Sequence, residues 1–336
     1  MGVLDSRKVA LVFPGQGSQA VGMGKELAES FPTAAEIFER ADRLLGFSIS
    51  ELCFDGPEAE LTKTINTQPA LFVTSVAAYE SVVAAGVCAP LRAEGKAGLN
   101  PPTREQKRPA RYAYTAGHSV GEYAALYAAG AFSFETGLGL VQKRAALMQE
   151  AAEKNPGTMA AVLGLAPEQV QQAAEQASEV GLVVAANFNS PIQTVISGDR
   201  AGVARASEIA LQMGARKVVP LNVSGAFHSP LMQEAADRLA DALADAEISD
   251  SVVPVVANYT ADFETTAQQI RENLARQITG SVRWVESVRR LLDSGVDAFI
   301  ELGSGSVLAG LIKRIAPDAA VWSVGDRASL DALLSE

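Results

Sequence analysis

The chain has 336 residues, 48% hydrophobic and 20% charged, enough to bury a large core in one large domain with an insert, or in two domains. Its formal net charge of −11 works against broad attraction to nucleic acid or anionic membrane, and no apolar run reaches the ~20 residues of a bilayer span. Cys53 and Cys88 stand alone, which suggests neither a disulfide framework nor a zinc site and makes a reducing cytoplasm the expected location.

No basic-then-apolar signal segment opens the chain. Met1 to Ser6 fits a loose lipidation pattern, but strand-like residues begin almost at once and no polybasic patch supports it. The apolar run 8–13 predicts a strand, and Pro14-Gly15-Gln16-Gly17-Ser18-Gln19 turns sharply out of it. A dinucleotide fingerprint fails here because Pro14 intervenes and no acidic residue ends a strand at about the required distance. A phosphate loop fails too, since Met23-Gly24 stands where Lys-Ser/Thr is needed. What remains is a turn at the C-terminal end of a strand, where open α/β sheets place ligands and where backbone N–H groups can serve an oxyanion.

Helical patterns follow over 23–29, 32–45 and 68–85, the last with Pro69 suited to a first turn. The stretch 92–111 holds six basic residues against two acidic ones, with Pro101-Pro102, and predicts an exposed loop. A strand over 112–116 then enters Gly117-His118-Ser119-Val120-Gly121-Glu122 and a helix over 123–129. A serine with a glycine two residues to either side, between strand and helix, is the nucleophile-elbow pattern, although G-x-S-x-G also arises by chance.

A long helix is expected over 134–153. Over 159–219 the order is strand, helix, strand, strand, helix, strand, the split βαββαβ arrangement. A polar loop, 222–230, precedes a helix over 231–246. Then come a strand at 252–257, helices near 267–277 and 282–292, a strand at 297–301, a helix to 314 and a strand at 320–324. Strands alternating with helices predict an α/β protein. The expectation is a large α/β-hydrolase-like domain with a mostly parallel sheet over 1–157 and 221–336, and a smaller inserted ferredoxin-like domain over 158–220.

Ser119 needs a general base, and the chain has two histidines. His118 adjoins Ser119 and leaves the turn in another direction, so His228 is the candidate. No Asp or Glu sits in an obvious orienting position near His228, which leaves a backbone carbonyl or an amide to hold the ring and favours a dyad.

Six stretches now occur in order: Gly15 to Gln19, Gly117 to Tyr123, Lys143-Arg144 with Leu147-Met148-Gln149, Asn187-Phe188-Asn189-Ser190-Pro191, Ala226-Phe227-His228, and Gln277 ahead of Val282-Arg283-Trp284. Over nearly the whole chain this resembles the malonyl-CoA:acyl-carrier-protein transacylases, acyltransferases of fatty-acid and polyketide synthesis. The resemblance implies Ser119 as the malonylated nucleophile, His228 as its base, and the backbone N–H groups of Gln16 and Val120 as the oxyanion hole. It implies Gln277 as the histidine-orienting position through its carbonyl, Arg144 as the arginine for the malonyl carboxylate, and Phe227 as a residue of acyl selectivity. A guanidinium suits that task, since it grips a carboxylate through two parallel hydrogen bonds.

Malonyl-CoA and a transiently bound acyl carrier protein are the partners so implied, their coenzyme A thioester and phosphopantetheine thiol being substrates. No cofactor, metal, nucleic acid or membrane is expected, and the chain is expected to be a monomer. The stretch 92–111 is longer than the connection expected in this family, and its charge suits an acidic carrier protein or coenzyme A phosphates. The rival readings are a thioesterase or esterase, which would need an acidic triad member and gives Arg144 no task, a malonyltransferase serving a polyketide synthase, and an inactive acyl-binding subunit.

Overall fold

The computed structural model describes residues 3–90 and 110–335, so of the basic stretch only 110 and 111 fall within the described residues. Its strands, in chain order, are β1 (Val9–Phe13), β2 (Cys88–Pro90), β3 (Ala110–Gly117), β4 (Thr158–Leu163), β5 (Val183–Ser190), β6 (Gln193–Gly198), β7 (Lys217–Pro220), β8 (Val255–Val256), β9 (Phe263–Glu264), β10 (Ala298–Leu302) and β11 (Ala320–Val324). They form two sheets. The larger runs β11-β10-β1-β3-β8-β9, with β2 paired to the start of β3. Every pairing in it is parallel except β8 with β9. The smaller runs β5-β6-β4-β7 and is antiparallel throughout.

Burial follows from side-chain alternation. All five residues of β1 are buried. Val9, Leu11 and Phe13 pack among the helices Thr64–Ala84, Gly121–Ala128 and Phe134–Lys154, while Ala10 and Val12 meet Trp284, Val288, Leu308 and Leu311 on the other face. A strand covered on both faces reads as a continuous apolar run, which is why it was visible. The small sheet has its own core against the helices Pro167–Ala177 and Arg200–Gln212. β10 buries a charge, Glu301, whose carboxylate accepts the N–H groups of Leu308 and Ala309 at 3.0 and 2.8 Å in the first turn of the helix Val307–Ile315.

The βαββαβ order expected between 158 and 220 is present, as are the helices 32–45 and 267–277 and the strand 320–324. Two expectations change. The helix placed at Gln68 begins at Thr64, with Pro69 inside it. Lys63 O already accepts the N–H groups of Asn66 and Thr67, and the Thr67 hydroxyl donates to Leu61 O, so a turn is wound before Pro69. The carbonyl Pro69 leaves without a donor belongs to Ile65, which is exposed to water. The strand expected over 252–257 shortens to Val255–Val256. Short helices at Ile49–Asp55 and Glu58–Leu61, and the strands β2 and β9, were not anticipated; pieces this short carry little periodicity. Among the described residues no helix is long and apolar enough to cross a membrane, and no cluster of three or more His, Cys, Asp or Glu could hold a metal ion.

Candidate active site

Ser119 sits where β3 ends and the helix Gly121–Ala128 begins, with φ at 51°, a left-handed conformation that costs a non-glycine residue on the order of 1–3 kcal/mol. Close packing forces the turn. A Cβ on Gly117 would lie 2.0 Å from the Gly121 carbonyl carbon, and one on Gly121 would lie 2.1 Å from Phe13 O at the end of β1. The strained serine is pinned by Asn258, just past β8: its Oδ1 accepts the Ser119 N–H at 2.6 Å and its Nδ2 donates to Gly117 O at 2.6 Å. His118 N–H donates to Phe13 O at 2.9 Å. The elbow is thus tied to the strand ends on both sides.

His228 reaches this turn from 109 residues away, its Nε2 2.8 Å from Ser119 Oγ. Its Nδ1 lies 2.8 Å from Gln277 O and 3.2 Å from Gly280 O. Carbonyls only accept, so Nδ1 carries the proton, Nε2 is bare, and the serine hydroxyl donates to it. The ring is 3% exposed, and burial, followed by the Arg144 charge, pushes its pKa down to about 3. It is therefore a neutral base at ordinary pH. His118 points elsewhere, with Nε2 2.8 Å from Asn189 Oδ1 and its ring edge-on to Trp284.

Arg144 is fully buried. Its Nη1 donates to Gln68 Oε1 at 2.5 Å, and its Nη2 donates to Ser119 Oγ at 3.0 Å and Gln277 Oε1 at 2.9 Å. Among the described residues three of its five N–H groups are engaged, all by neutral oxygens, and its Nε–H is buried without an acceptor. Gln277 therefore holds His228 with its backbone and Arg144 with its side chain.

Among the described residues, the N–H groups of Gln16 and Val120 have no acceptor. Val120 caps the helix Gly121–Ala128, where free N–H groups and the positive dipole end favour an anion. Gln16, His118, Ser119, Phe227 and His228 line one cavity of about 110 Å³, together with Met148, Met159, Asn187, Asn189 and Val195. Its volume suits an acyl group of a few heavy atoms. It meets a wider groove of about 820 Å³ at Val223. The arrangement supplies a hydroxyl with a base, two free donors beside it and a buried cation against it, which together suit transfer of a small anionic acyl group.

Of the seven residues singled out from the sequence, Ser119, His228, Gln16 and Phe227 line the cavity, Val120 follows Ser119 at the cap of the next helix, and Arg144 and Gln277 hydrogen-bond to Ser119 and to each other. Sequence reasoning gave no task to Gln68, Asn258 or Glu122. Gln68 offered one signal, an amide directly ahead of the apolar run Pro69–Val73 of a helix. Asn258 offered another, a polar residue just past a strand in an α/β order.

The acyl transferase domain family matches the chain over residues 10–93 and 109–323, leaving out 94–108, within the basic stretch already noted for its length. The malonyl CoA-acyl carrier protein transacylase of Bacillus subtilis is 44% identical over 309 residues, covering 92% of this chain and 90% of that protein. The enzyme of the same name from Escherichia coli K12 is 39% identical over 97% of this chain and 98% of its own. An acyl-carrier-protein S-malonyltransferase from Burkholderia pseudomallei superposes with a TM-score of 0.88 at 41% identity, covering 98% of this chain and 100% of that one. A malonyl-transacylase solved in complex with its type II PKS acyl-carrier protein superposes with a TM-score of 0.87 at 39% identity, covering 98% and 99%.

Proposed function

Because this chain belongs to the acyl transferase family, and within it to the malonyl CoA-acyl carrier protein transacylases, we propose that it moves a malonyl group from coenzyme A to the phosphopantetheine thiol of an acyl carrier protein. The transfer passes through a malonyl ester of Ser119 and supplies chain extension in fatty-acid biosynthesis. The observation that carries this reading is the pairing of Ser119 Oγ with both His228 Nε2 and Arg144 Nη2. Nucleophile, base and carboxylate receptor share one oxygen.

His228 Nε2 takes the hydroxyl proton as Ser119 Oγ bonds to the thioester carbonyl. The oxyanion is received by the N–H groups of Gln16 and Val120. The C–S bond breaks and His228 returns the proton to the departing sulfur. The carrier thiol then gives its proton to the same nitrogen, its sulfur attacks the ester, and Oγ recovers the proton. Each half balances in protons and electrons among these residues and the two thiols, so the mechanism invokes no cofactor and no metal. Phe227, in the cavity wall, limits the bulk of the acyl group.

A thioesterase would place a carboxylate on His228 Nδ1, a position held here by two carbonyls. The neighbour solved with a PKS carrier lends the polyketide version of this reading its support, and a comparison of carrier proteins decides between pathways. Residues 158–220 are proposed as a ferredoxin-like domain inserted into an α/β-hydrolase-like domain of 1–157 and 221–336; the βαββαβ order and the strand order β5-β6-β4-β7 support this. Monomeric action in the cytoplasm completes the proposal, and two free, buried thiols suit such a compartment. Intact-mass measurement after mixing with malonyl-CoA tests it: one malonyl adduct is expected on the wild type and none on Ser119→Ala. A wild type that stays unmodified overturns the mechanism.

A further inference from the structure

Glu122 lies three residues past the nucleophile, fully buried, with no task in the mechanism above. Its Oε2 accepts the Asn258 N–H at 2.9 Å and Gln277 Nε2 at 2.8 Å. The other end of the Gln277 amide, Oε1, accepts from Arg144 Nη2 at 2.9 Å. One amide therefore bridges a donor-only guanidinium and an acceptor-only carboxylate, and its polarity is fixed while both are charged. The direct bonds of Arg144 go only to neutral oxygens, and a guanidinium buried this completely needs an anion close by.

Other ionisable groups around Glu122 are neutral. Glu264, on β9, has its carboxyl held well above the carboxylate range by burial and by the Glu122 charge. Burial raises the Tyr123 phenol and lowers both His118 and His228. Among the described groups around this carboxylate, Arg144 and Glu122 remain as the one plus and the one minus.

We propose that Glu122 is a positioning residue of the transfer, which supplies through the Gln277 amide the resting counter-charge that an incoming acyl carboxylate must share. This rests on reading Arg144 as the receptor of that carboxylate. Two anions then share one cation, so each weakens the hold of the other, and protonation of Glu122 relieves the competition. Burial pushes the Glu122 carboxyl up to about 7, which places that relief within the working pH range.

Malonyl-N-acetylcysteamine, which carries no phosphate, is the substrate for the test, with KM and kcat measured separately from about pH 5.5 to 8.5. In the wild type KM is expected to rise about tenfold as pH passes from 6 to 8, a coupling of ordinary size. Glu122→Gln keeps an oxygen for Asn258 and Gln277, and turns its NH2 to the side where Oε1 has no partner. It removes charge without removing those bonds, so its KM is expected to stay low and flat. Indicator-dye measurement near pH 7 is expected to show proton uptake on acylation of the wild type and none with Glu122→Gln. A pH-independent wild-type KM, or a variant that keeps the wild-type pH dependence, overturns the proposal. The wild-type curve decides alone if the variant does not fold. An absent malonyl adduct sinks the transfer reading, whereas a flat KM with the adduct present sinks only the role of Glu122.

Discussion

Arg144 and His228 touch the same oxygen, so a change to either is felt through Ser119. Replacing Arg144 by Ala removes the cation beside Ser119 and leaves Glu122 buried without the counter-charge that Gln277 bridges to it. We expect malonyl-CoA kcat/KM to fall by on the order of 10²–10³, with discrimination against acetyl-CoA largely lost. Arg144→Lys should restore little of this, because an ammonium cannot reproduce three forked donations to Gln68, Ser119 and Gln277. Steady-state kinetics with the two donors check both variants.

The base makes a separate, thermodynamic claim. His228 titrates at about 3 when folded, below its ordinary 6.5. As pH falls, the unfolded chain therefore binds this proton first, and stability is lost from about pH 6.5 down towards 3. His228→Gln lacks that loss. Between pH 6.5 and 4.5 its stability should fall by about 2–3 kcal/mol less than that of the wild type in urea unfolding.

At the scale of elements, the elbow is a contact between β1, β3 and β8 before it is a catalytic device. Gly121→Ala would drive a methyl into Phe13 O, forcing β1 and the helix Gly121–Ala128 apart. A cost of about 1–3 kcal/mol is expected, with loss of the malonyl adduct because Ser119 and Val120 move with the helix. Thermal unfolding and intact mass read the two effects separately. The elbow was legible because its determinants lie within five consecutive residues, and His228 because the chain has one other histidine. The fold was legible where a strand is buried on both faces, as in β1, or where a helix is long, as at Phe134–Lys154. Gln68, Asn258 and Glu122 were not. Amides and carboxylates are common in any sequence, and only burial against Arg144, the Ser119 N–H or the Gln277 amide marks these three. Pro69 misled because the turn ahead of it is set by Lys63 and Thr67, not by apolar spacing.

At the scale of the molecule, both sheets build the cavity: Gln16 and Ser119 follow strands of the large sheet, while Met159, Asn187 and Val195 lie on the small one. The helix-facing side of the small sheet has its own core, while Met159, Ala161, Ala186 and Val195 join the core of the large sheet, so the two sheets meet at the cavity through shared packing. Charge acts at this scale too. In a chain of net charge −11, Arg92, Lys96, Arg104, Lys107, Arg108 and Arg111 form a local positive excess. Replacing all six by Ser should raise KM for an acidic carrier protein several-fold at low salt and flatten its salt dependence. Unchanged carrier kinetics would remove the stretch from the docking surface.

The two carbonyls beneath His228 also bear on wastage. Without a carboxylate there, the ring holds a proton poorly and is a weak base for anything arriving from solvent. A thiol, ordinarily ionising at about 8.5, yields its proton to such a base far more readily than water does. Ser119 escapes the same handicap because Arg144 Nη2 already polarises its oxygen, a help that incoming water does not receive. The loaded enzyme is therefore expected to give malonate up to a thiol in preference to water.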